Sequence, residues 1–356
     1  MFRKVLSSMK TYERHLSAVA MIAGFAWDNV FFGRVDLWQT QAVFAVYAAI
    51  CFISIPLLHA LAARGPLPRW SVLLPLSTQF ALGGFWSGFV IFYGRSADIG
   101  ASWPFLLALV LVLLGSEYFH QYHERLVFTA VLFFFALYSY AIFAVPLLTG
   151  TVSVSTFVIS TLVAILGFGL FTIVLRVVAR ERFLADIWRI RVGAAMTLAV
   201  FLLAYAANIL PPLPLSEVAG GVYHSVWRVP GAYLASEEPQ PWRVTYLGFA
   251  PTLHLLLGDS VSAYSSIFAP AALSTSIVHE WQWYDAAAKR WITKAVITYP
   301  ISGGRDGGYR GYSTIAVRQE GKWRVNIETS DGRLIDRLPF TVVASAPPPL
   351  SAVTLK

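Results

Sequence analysis

The sequence predicts a membrane α-helical bundle of about seven transmembrane helices, followed by an all-β, antiparallel, sandwich-like extracytoplasmic domain. Three observations predict it. Hydrophobic residues fill 57% of the 356 positions and charged residues only 13%, against ~25% charged in an average soluble chain. Seven apolar stretches approach the ~20 residues that a helix needs to cross a hydrocarbon core of ~30 Å. After Pro211-Pro212-Leu213-Pro214 the helical runs stop and strand-like alternation takes over. This composition excludes a single soluble globular domain. It also excludes intrinsic disorder, which needs few apolar residues and high charge.

The apolar stretches run over 16–33, 41–63, 70–93, 103–119, 126–148, 154–175 and 192–210. The first carries Asp28 inside it and the fourth is short. Polar or Pro/Gly-bearing breaks separate them: Gly33 to Gln41, Arg64 to Arg69, Gly94 to Ser102, and Thr149-Gly150. Basic residues fall on alternate breaks, and cytoplasmic loops collect Lys and Arg. One set holds Arg3, Lys4, Lys10 and Arg14, then Arg64 and Arg69, then Arg125, then Arg176, Arg180, Arg182, Arg189 and Arg191. The opposite set holds only Arg34 and Arg95. This bias predicts a cytoplasmic N-terminus, and an odd number of spans then puts everything after residue 210 outside. The first helix reads as uncleaved, because no small-x-small pattern follows it convincingly. The net charge of +8 is thereby a topology signal, so no nucleic-acid partner is expected; the expected partner of residues 1–210 is the lipid bilayer. Cys51 is the single cysteine, so no intramolecular disulfide forms.

Beyond the proline run, Ser276–Trp283 reads as a strand and Trp291–Tyr299 as its hairpin partner, across a polar turn at Asp285 to Lys289. Tyr312–Arg318, Lys322–Glu328 and Leu334–Val343 read as three more, with turn residues at Glu320-Gly321 and Asp331-Gly332. Short strands at this spacing predict a compact antiparallel sandwich. The expected organisation is a transmembrane domain over 1–210, a linker with early strands over 211–269, a β domain over 270–343, and a disordered tail over 344–356 around Pro347-Pro348-Pro349.

An ordered set of motifs carries a family resemblance. His279-x-Trp281 is followed by Gly303-Gly304-Arg305, Gly308-Tyr309-Arg310-x-Tyr312-Ser313, Gly321-Lys322-Trp323-Arg324-Val325 and Asp331-Gly332-Arg333. Residues 270–343 thus resemble the bacterial DUF2914 family, a small extracytoplasmic β domain without an assigned activity. The membrane half resembles the multi-helix region ahead of this domain in some members, through Phe25-Ala26-Trp27-Asp28, Gly33-Arg34-Val35-Asp36, Phe92-Tyr93-Gly94-Arg95-Ser96, Ser102-Trp103-Pro104-Phe105 and Glu117. The resemblance implies a bacterial inner membrane and a periplasmic β domain. It implies no reaction.

Three constellations hold the chemistry. In the loop from Gly303 to Arg310, glycines would expose backbone N–H groups and Arg305 and Arg310 would offer planar donors to a carboxylate or phosphate. Tyr309, Tyr312, His279 and Trp281 would complete a site for an anionic glycan, peptide or lipid head group. The competing structural reading has the glycines shaping a hairpin and the tryptophans filling the core. Within the membrane, Asp28 must be protonated or paired; Arg95, which ends the third span on the same outer side, is the expected partner, and Arg34 lies near. Steps of three put Glu117, His120 and either His123 or Glu124 along one side of a helix, a metal candidate with no second half-site, so no metal is assigned. The run from Arg176 to Arg191 sets topology and meets anionic lipid head groups.

Catalytic and nucleotide fingerprints do not occur in the sequence, and no cofactor is expected. The function that follows is a non-enzymatic envelope protein whose β domain binds a glycan, peptide or protein partner. The alternative puts the work in the helices, as a transporter or an enzyme on a lipid-linked substrate, with Asp28, Arg34, Arg95 and Glu117 as its polar residues.

Overall fold

The computed structural model describes residues 36–96, 99–118, 125–247, 249–270, 273–304 and 307–355. Its first part is helical. The helices are α1 (Trp38–Arg64), α2 (Leu73–Arg95), α3 (Ile99–Tyr118), α4 (Leu126–Thr149), α5 (Val154–Val178) and α6 (Arg180–Ala206). Each falls on a predicted apolar stretch; the stretch at 16–33 lies outside the described residues. Helices α1, α4, α5 and α6 are long and apolar enough to cross a membrane. Helix α6 begins twelve residues before the predicted span at 192. Phe183, Leu184, Ile187 and Ile190 give its charged first turns an apolar side, which sustains a helix where a loop was expected.

Residues 36–92, 106–140 and 164–198 cluster as one described unit. Aromatic stacking and small residues hold it together. The ring of Phe44 stacks on Phe85 and Phe89, both at 5.6 Å, and on Tyr140 at 5.7 Å. Ser54 and Ser77 hydroxyls bond across α1 and α2 at 2.9 Å. A Cβ at Gly84 would strike the Tyr47 ring, and one at Gly193 would strike Val131. Helices approach closely at such positions because glycine leaves room for the facing side chain.

The second unit contains residues 93–105, 141–163 and 199–356. Its β domain has eleven strands among the described residues. They are β1 (Ser216–Tyr223), β2 (Ser225–Val229), β3 (Ala232–Glu237), β4 (Thr252–Leu255), β5 (Ser260–Phe268), β6 (Ser274–Asp285), β7 (Arg290–Ser302), β8 (Tyr309–Ala316), β9 (Gly321–Thr329), β10 (Leu334–Ala344) and β11 (Ser351–Leu355). A short helix, α7 (Trp242–Leu247), lies between β3 and β4. The sheet orders are β1-β5-β8, β4-β10-β9-β6-β7 and β11-β3-β2. Pairing is antiparallel except between β10 and β4, which run parallel.

All five predicted strands are present, and residues 216–268 hold five more. The early strands expected in that segment are thus present, and β1, β4 and β5 pair with one another or with later strands of the β domain. The β1-β5-β8 sheet has apolar packing on both faces. Val261 and Ala263 of β5 join Trp281, Trp323, Val325, Phe340 and Val342 in one core. Tyr264 of β5 joins Val226, Ala235 and Leu355 in another. The tail expected to be disordered supplies β11, which pairs with β3 from Ser351↔Glu237 to Leu355↔Tyr233. Its apolar residues complete the second core, and this outweighs the Pro347–Pro349 break.

One turn fastens the β domain to helix ends. Between β9 and β10, Gly332 takes φ +73°, a conformation that glycine adopts without strain. The turn presents Asp331 and Arg333. Asp331 Oδ2 accepts the Val154 N–H at 3.0 Å, placing a carboxylate on the first turn of α5. The Arg333 guanidinium lies over the Tyr205 ring, 3.4 Å from its centroid, and donates to the Tyr205 carbonyl and to Asn208 Oδ1 at 3.0 Å. Asn208 Nδ2 donates back to the Gly332 carbonyl at 2.7 Å. Phe157 of α5 stacks on Tyr205 of α6 at 3.6 Å, so the two helices run antiparallel with their ends under the same turn.

The substitution Arg333→Ala removes the stack and its hydrogen bonds, interactions worth roughly 2 kcal/mol together. Limited proteolysis of the full chain in detergent is expected to cut the 207–215 connection about thirtyfold faster in this variant. Equal cleavage rates would show that the turn does not hold the connection.

Candidate functional site

Strand alternation puts His279 and Trp281 on the β6 face that meets the β1-β5-β8 sheet, and both are 0% exposed. His279 Nε2 contacts Ser265 Oγ at 2.9 Å and the Tyr299 hydroxyl at 3.2 Å. His279 Nδ1 contacts Ser313 Oγ at 2.8 Å, and Trp281 Nε1–H donates to the same oxygen at 2.9 Å. The Ser265 and Tyr299 hydroxyls are 2.6 Å apart. The network stitches β5 and β8 to β6 and β7 with every ring nitrogen partnered. Burial holds the imidazole near 4 and pushes the Tyr299 phenol up. Two serines therefore flank a neutral histidine in a site closed to solvent. The structure makes His279 and Trp281 core residues and not surfaces for a ligand.

The described glycines around this loop are architectural as well. A Cβ at Gly303 would strike the Pro270 carbonyl, one at Gly308 the Ser266 hydroxyl, and one at Gly311 the Tyr299 ring. The Gly303 N–H donates to Leu273 O at 2.8 Å and the Gly304 N–H to Ala269 O at 3.1 Å. These groups are spent inside the fold and form no anion cradle. Tyr309 packs half-buried against the core. Arg310 is half-buried, and Tyr312 is 41% exposed with Tyr233 edge-on at 6.1 Å. Arg305 lies outside the described residues, as do Asp28, Arg34, His120, His123 and Glu124. Arg95 ends α2 and is exposed, and Glu117 lies in the last turns of α3. No cluster of three metal-ligating side chains occurs among the described residues.

What the structure does bring together is a cleft of ≈ 310 Å³ in the β domain. Its walls are Gly220 to Tyr223 of β1, Glu237, Glu238 and Gln240 at the end of β3, Phe249 to Pro251, and Arg337 to Pro339 of β10. Gly220 and Gly221 keep the β1 side bare, since a Cβ there would strike Glu217 or Tyr223. Glu238 is 2% exposed. It accepts the His254 N–H at 3.3 and 3.4 Å, meets His254 Nδ1 at 3.3 Å, and lies 3.6 Å from His224 Nε2. Gln240 Nε2 donates to the Thr252 carbonyl at 3.1 Å. Burial, with Glu237 beside it, pushes the Tyr223 phenol up to about 12, so it stays a neutral donor.

Arg337 carries the cleft onto the outward face of the five-stranded sheet. Its Nε donates to Asn326 Oδ1 at 2.9 Å, and Asn326 Nδ2 donates to Glu280 Oε2 at 3.1 Å. Glu280 also accepts the Thr293 hydroxyl at 2.6 Å. Burial works to raise the Glu280 pKa, but bonds from Thr293, Gln282 and Asn326 and the Arg324 charge outweigh it, and the net shift is downward. Arg324 donates to Gln282 Oε1 at 2.7 Å and lies over the Trp291 ring at 4.1 Å. No sequence spacing links Glu238, Gln240 and Arg337, so they do not stand out in the chain; β1, β3 and β10 meet only in the fold. The nearest sequence signal is the pair His224 and His254, which fits no motif.

Residues 274–342 match the family described as "Protein of unknown function (DUF2914)", in agreement with the resemblance of the C-terminal motifs. No curated protein matches the chain by sequence. Among solved structures, the β-glucosidase of Listeria innocua in complex with glucose is similar over 32% of this chain and 16% of its own, at 17% identity and TM-score 0.21. The Pseudomonas fluorescens alkylpurine DNA glycosylase AlkC, bound to DNA containing an abasic site analog, is similar over 88% of this chain and 99% of its own, at 10% identity and TM-score 0.24. The chain thus spans less than a fifth of the glucosidase, and neither likeness reaches a shared fold.

The His279 network makes stability depend on pH. Its folded pKa of about 4 lies below the ordinary 6.5, so the unfolded chain binds more protons between these values. The contribution is complete above pH 6.5 and is lost as pH falls toward 4, about 3 kcal/mol at most. His279→Gln lowers stability at pH 7 and removes the titrating group. The melting-temperature gap between wild type and variant, followed by tryptophan fluorescence, is expected to narrow from pH 7 to pH 4. A constant gap would contradict the buried neutral imidazole.

Proposed function

We infer that the chain is a multi-pass protein of a bacterial inner membrane, with seven spans, a cytoplasmic N-terminus and a layered, sandwich-like β domain in the periplasm. The distribution of Lys and Arg supports the orientation, and the apolar helices support the anchoring. The β domain is a non-enzymatic recognition module, and its site is the β1–β3–β10 cleft. One observation carries this reading: the polar groups of the cleft are fixed before any ligand arrives. Glu238 is held by the His254 backbone, Gln240 by Thr252 and Arg337 by Asn326. A site whose groups need no reordering loses little entropy on binding.

The lining selects the ligand class. Glu237, Gln240 and the neutral Tyr223 phenol suit amine and hydroxyl groups, Arg337 suits a carboxylate, and Phe249, 59% exposed, suits an apolar sugar or peptide face. A glycan–peptide fragment of the cell wall carries all of these.

Calorimetric titration of the full chain in detergent with soluble peptidoglycan fragments is the test. Binding is expected to weaken about tenfold or more in Arg337→Gln, as loss of a charge-assisted hydrogen bond implies, with Tyr312→Ala unchanged. Absence of binding to wild type, or equal binding by Arg337→Gln, would sink the reading.

A further inference from the structure

Helices α5 and α6 form a sharp hairpin with a single residue, the buried Ala179, between them. The Ala179 N–H bonds to Leu175 O and its carbonyl accepts the Phe183 N–H, both at 2.9 Å. The hairpin is the least covered pair among the four membrane-length helices. Between its arms lies a groove of ≈ 590 Å³, closed at the back by Phe134 of α4. This size falls within the about 300–1,000 Å³ of small-molecule sites. Its walls are apolar, with Phe168 and Ile173 on α5 and Phe183 and Ile187 on α6. Two cations break that lining, Arg176 from α5 and Arg191 from α6. Both are exposed, whereas neighbouring Arg189 pairs with Asp186 at 3.1 Å and Arg182 donates to Ala62 O at 3.1 Å.

An apolar trough with two guanidinium groups is complementary to one class of molecule in a bilayer. We propose that the α5–α6 groove binds an anionic phospholipid, its phosphate at Arg176 beside the hairpin turn and an acyl chain lying along Phe183, Ile173, Ile187 and Phe168, with Arg191 adding positive charge farther along the groove. Guanidinium groups bind phosphate oxygens through planar paired donors, and basic pockets between transmembrane helices take anionic head groups. The site belongs to the helical unit and does not depend on what the β domain binds. Exposed Trp188 and Leu184, at 72% and 47%, flank it on α6 and suit an interfacial depth.

Native mass spectrometry of the full chain in detergent tests the site, with phosphatidylglycerol and phosphatidylcholine of identical chains as probes. Wild type is expected to retain phosphatidylglycerol preferentially. Arg176→Gln with Arg191→Gln should weaken that retention roughly tenfold and leave phosphatidylcholine unchanged, while Arg64→Gln with Arg69→Gln changes neither. Gly169→Leu provides an independent arm: a Cβ at Gly169 meets nothing within 4 Å, so the side chain fills the groove and both lipids are lost while both arginines stay. An undiminished phosphatidylglycerol preference in the double variant would overturn the proposal. So would an equal loss in the Arg64/Arg69 pair, full lipid retention by Gly169→Leu, or a groove occupied by a second copy of the chain, seen as a lipid-free dimer that Gly169→Leu disperses.

Discussion

The Arg333 guanidinium over the Tyr205 ring is the contact on which the second unit of the molecule depends. The same turn reaches both arms of the α5–α6 hairpin: Asp331 meets the first N–H of α5, and Arg333 covers the last turn of α6. Each contact matches charge to helix polarity or to a π face. A carboxylate at a helix N-terminus contributes about 0.3–1 kcal/mol, and a cation over an aromatic ring about 0.5–2 kcal/mol. Val152, just before α5, packs against the core of Leu273, Ile277 and Ile327, and the Ser274 N–H bonds to Gly150 O at 3.2 Å. The β domain is thus joined to helix ends by polar, stacking and apolar contacts together.

This arrangement separates scaffold from site. The motifs that carry the family resemblance are mostly structural here. His279 and Trp281 stitch two sheets, Gly303, Gly308 and Gly311 permit close approach, Trp323 fills the core, and Asp331 to Arg333 hold the helices. The cleft is built largely from Gly220 to Pro251, upstream of the matched residues 274–342, with only Arg337 to Pro339 inside them. A match over 274–342 therefore describes the frame, while the proposed binding chemistry lies largely in the strands before it.

The helices were legible because each is an apolar run of helical length bounded by polar or Pro/Gly-bearing breaks. The β6–β7 hairpin and the strands from Tyr309 to Ala344 were legible because one face of each is apolar or because Gly321 and Gly332 mark their turns. Strand β5, Ser-Val-Ser-Ala-Tyr-Ser-Ser-Ile-Phe, was not, because it is buried on both faces and shows no alternation. Its serines are satisfied by partners distant in sequence: Ser262 with Thr314, Ser265 with His279 and Tyr299, Ser266 with the Gly307 carbonyl. Strand β11 was hidden by the three prolines before it. The cleft was invisible because its members are joined only by the fold: Glu238, just after β3, and Arg337 of β10 are about a hundred residues apart.

Arg333 and Tyr205 act as one interaction, and a double-mutant cycle isolates it. Tyr205→Leu, Arg333→Met and the double variant would be compared by melting temperature of the full chain in a single detergent. The double variant is expected to lose clearly less than the sum of the two single losses, because the shared ring contact is lost only once, while the Arg333–Asn208 bond and the Phe157–Tyr205 stack are lost separately. Additive losses would show that the two residues stabilise the molecule independently and would contradict a shared contact.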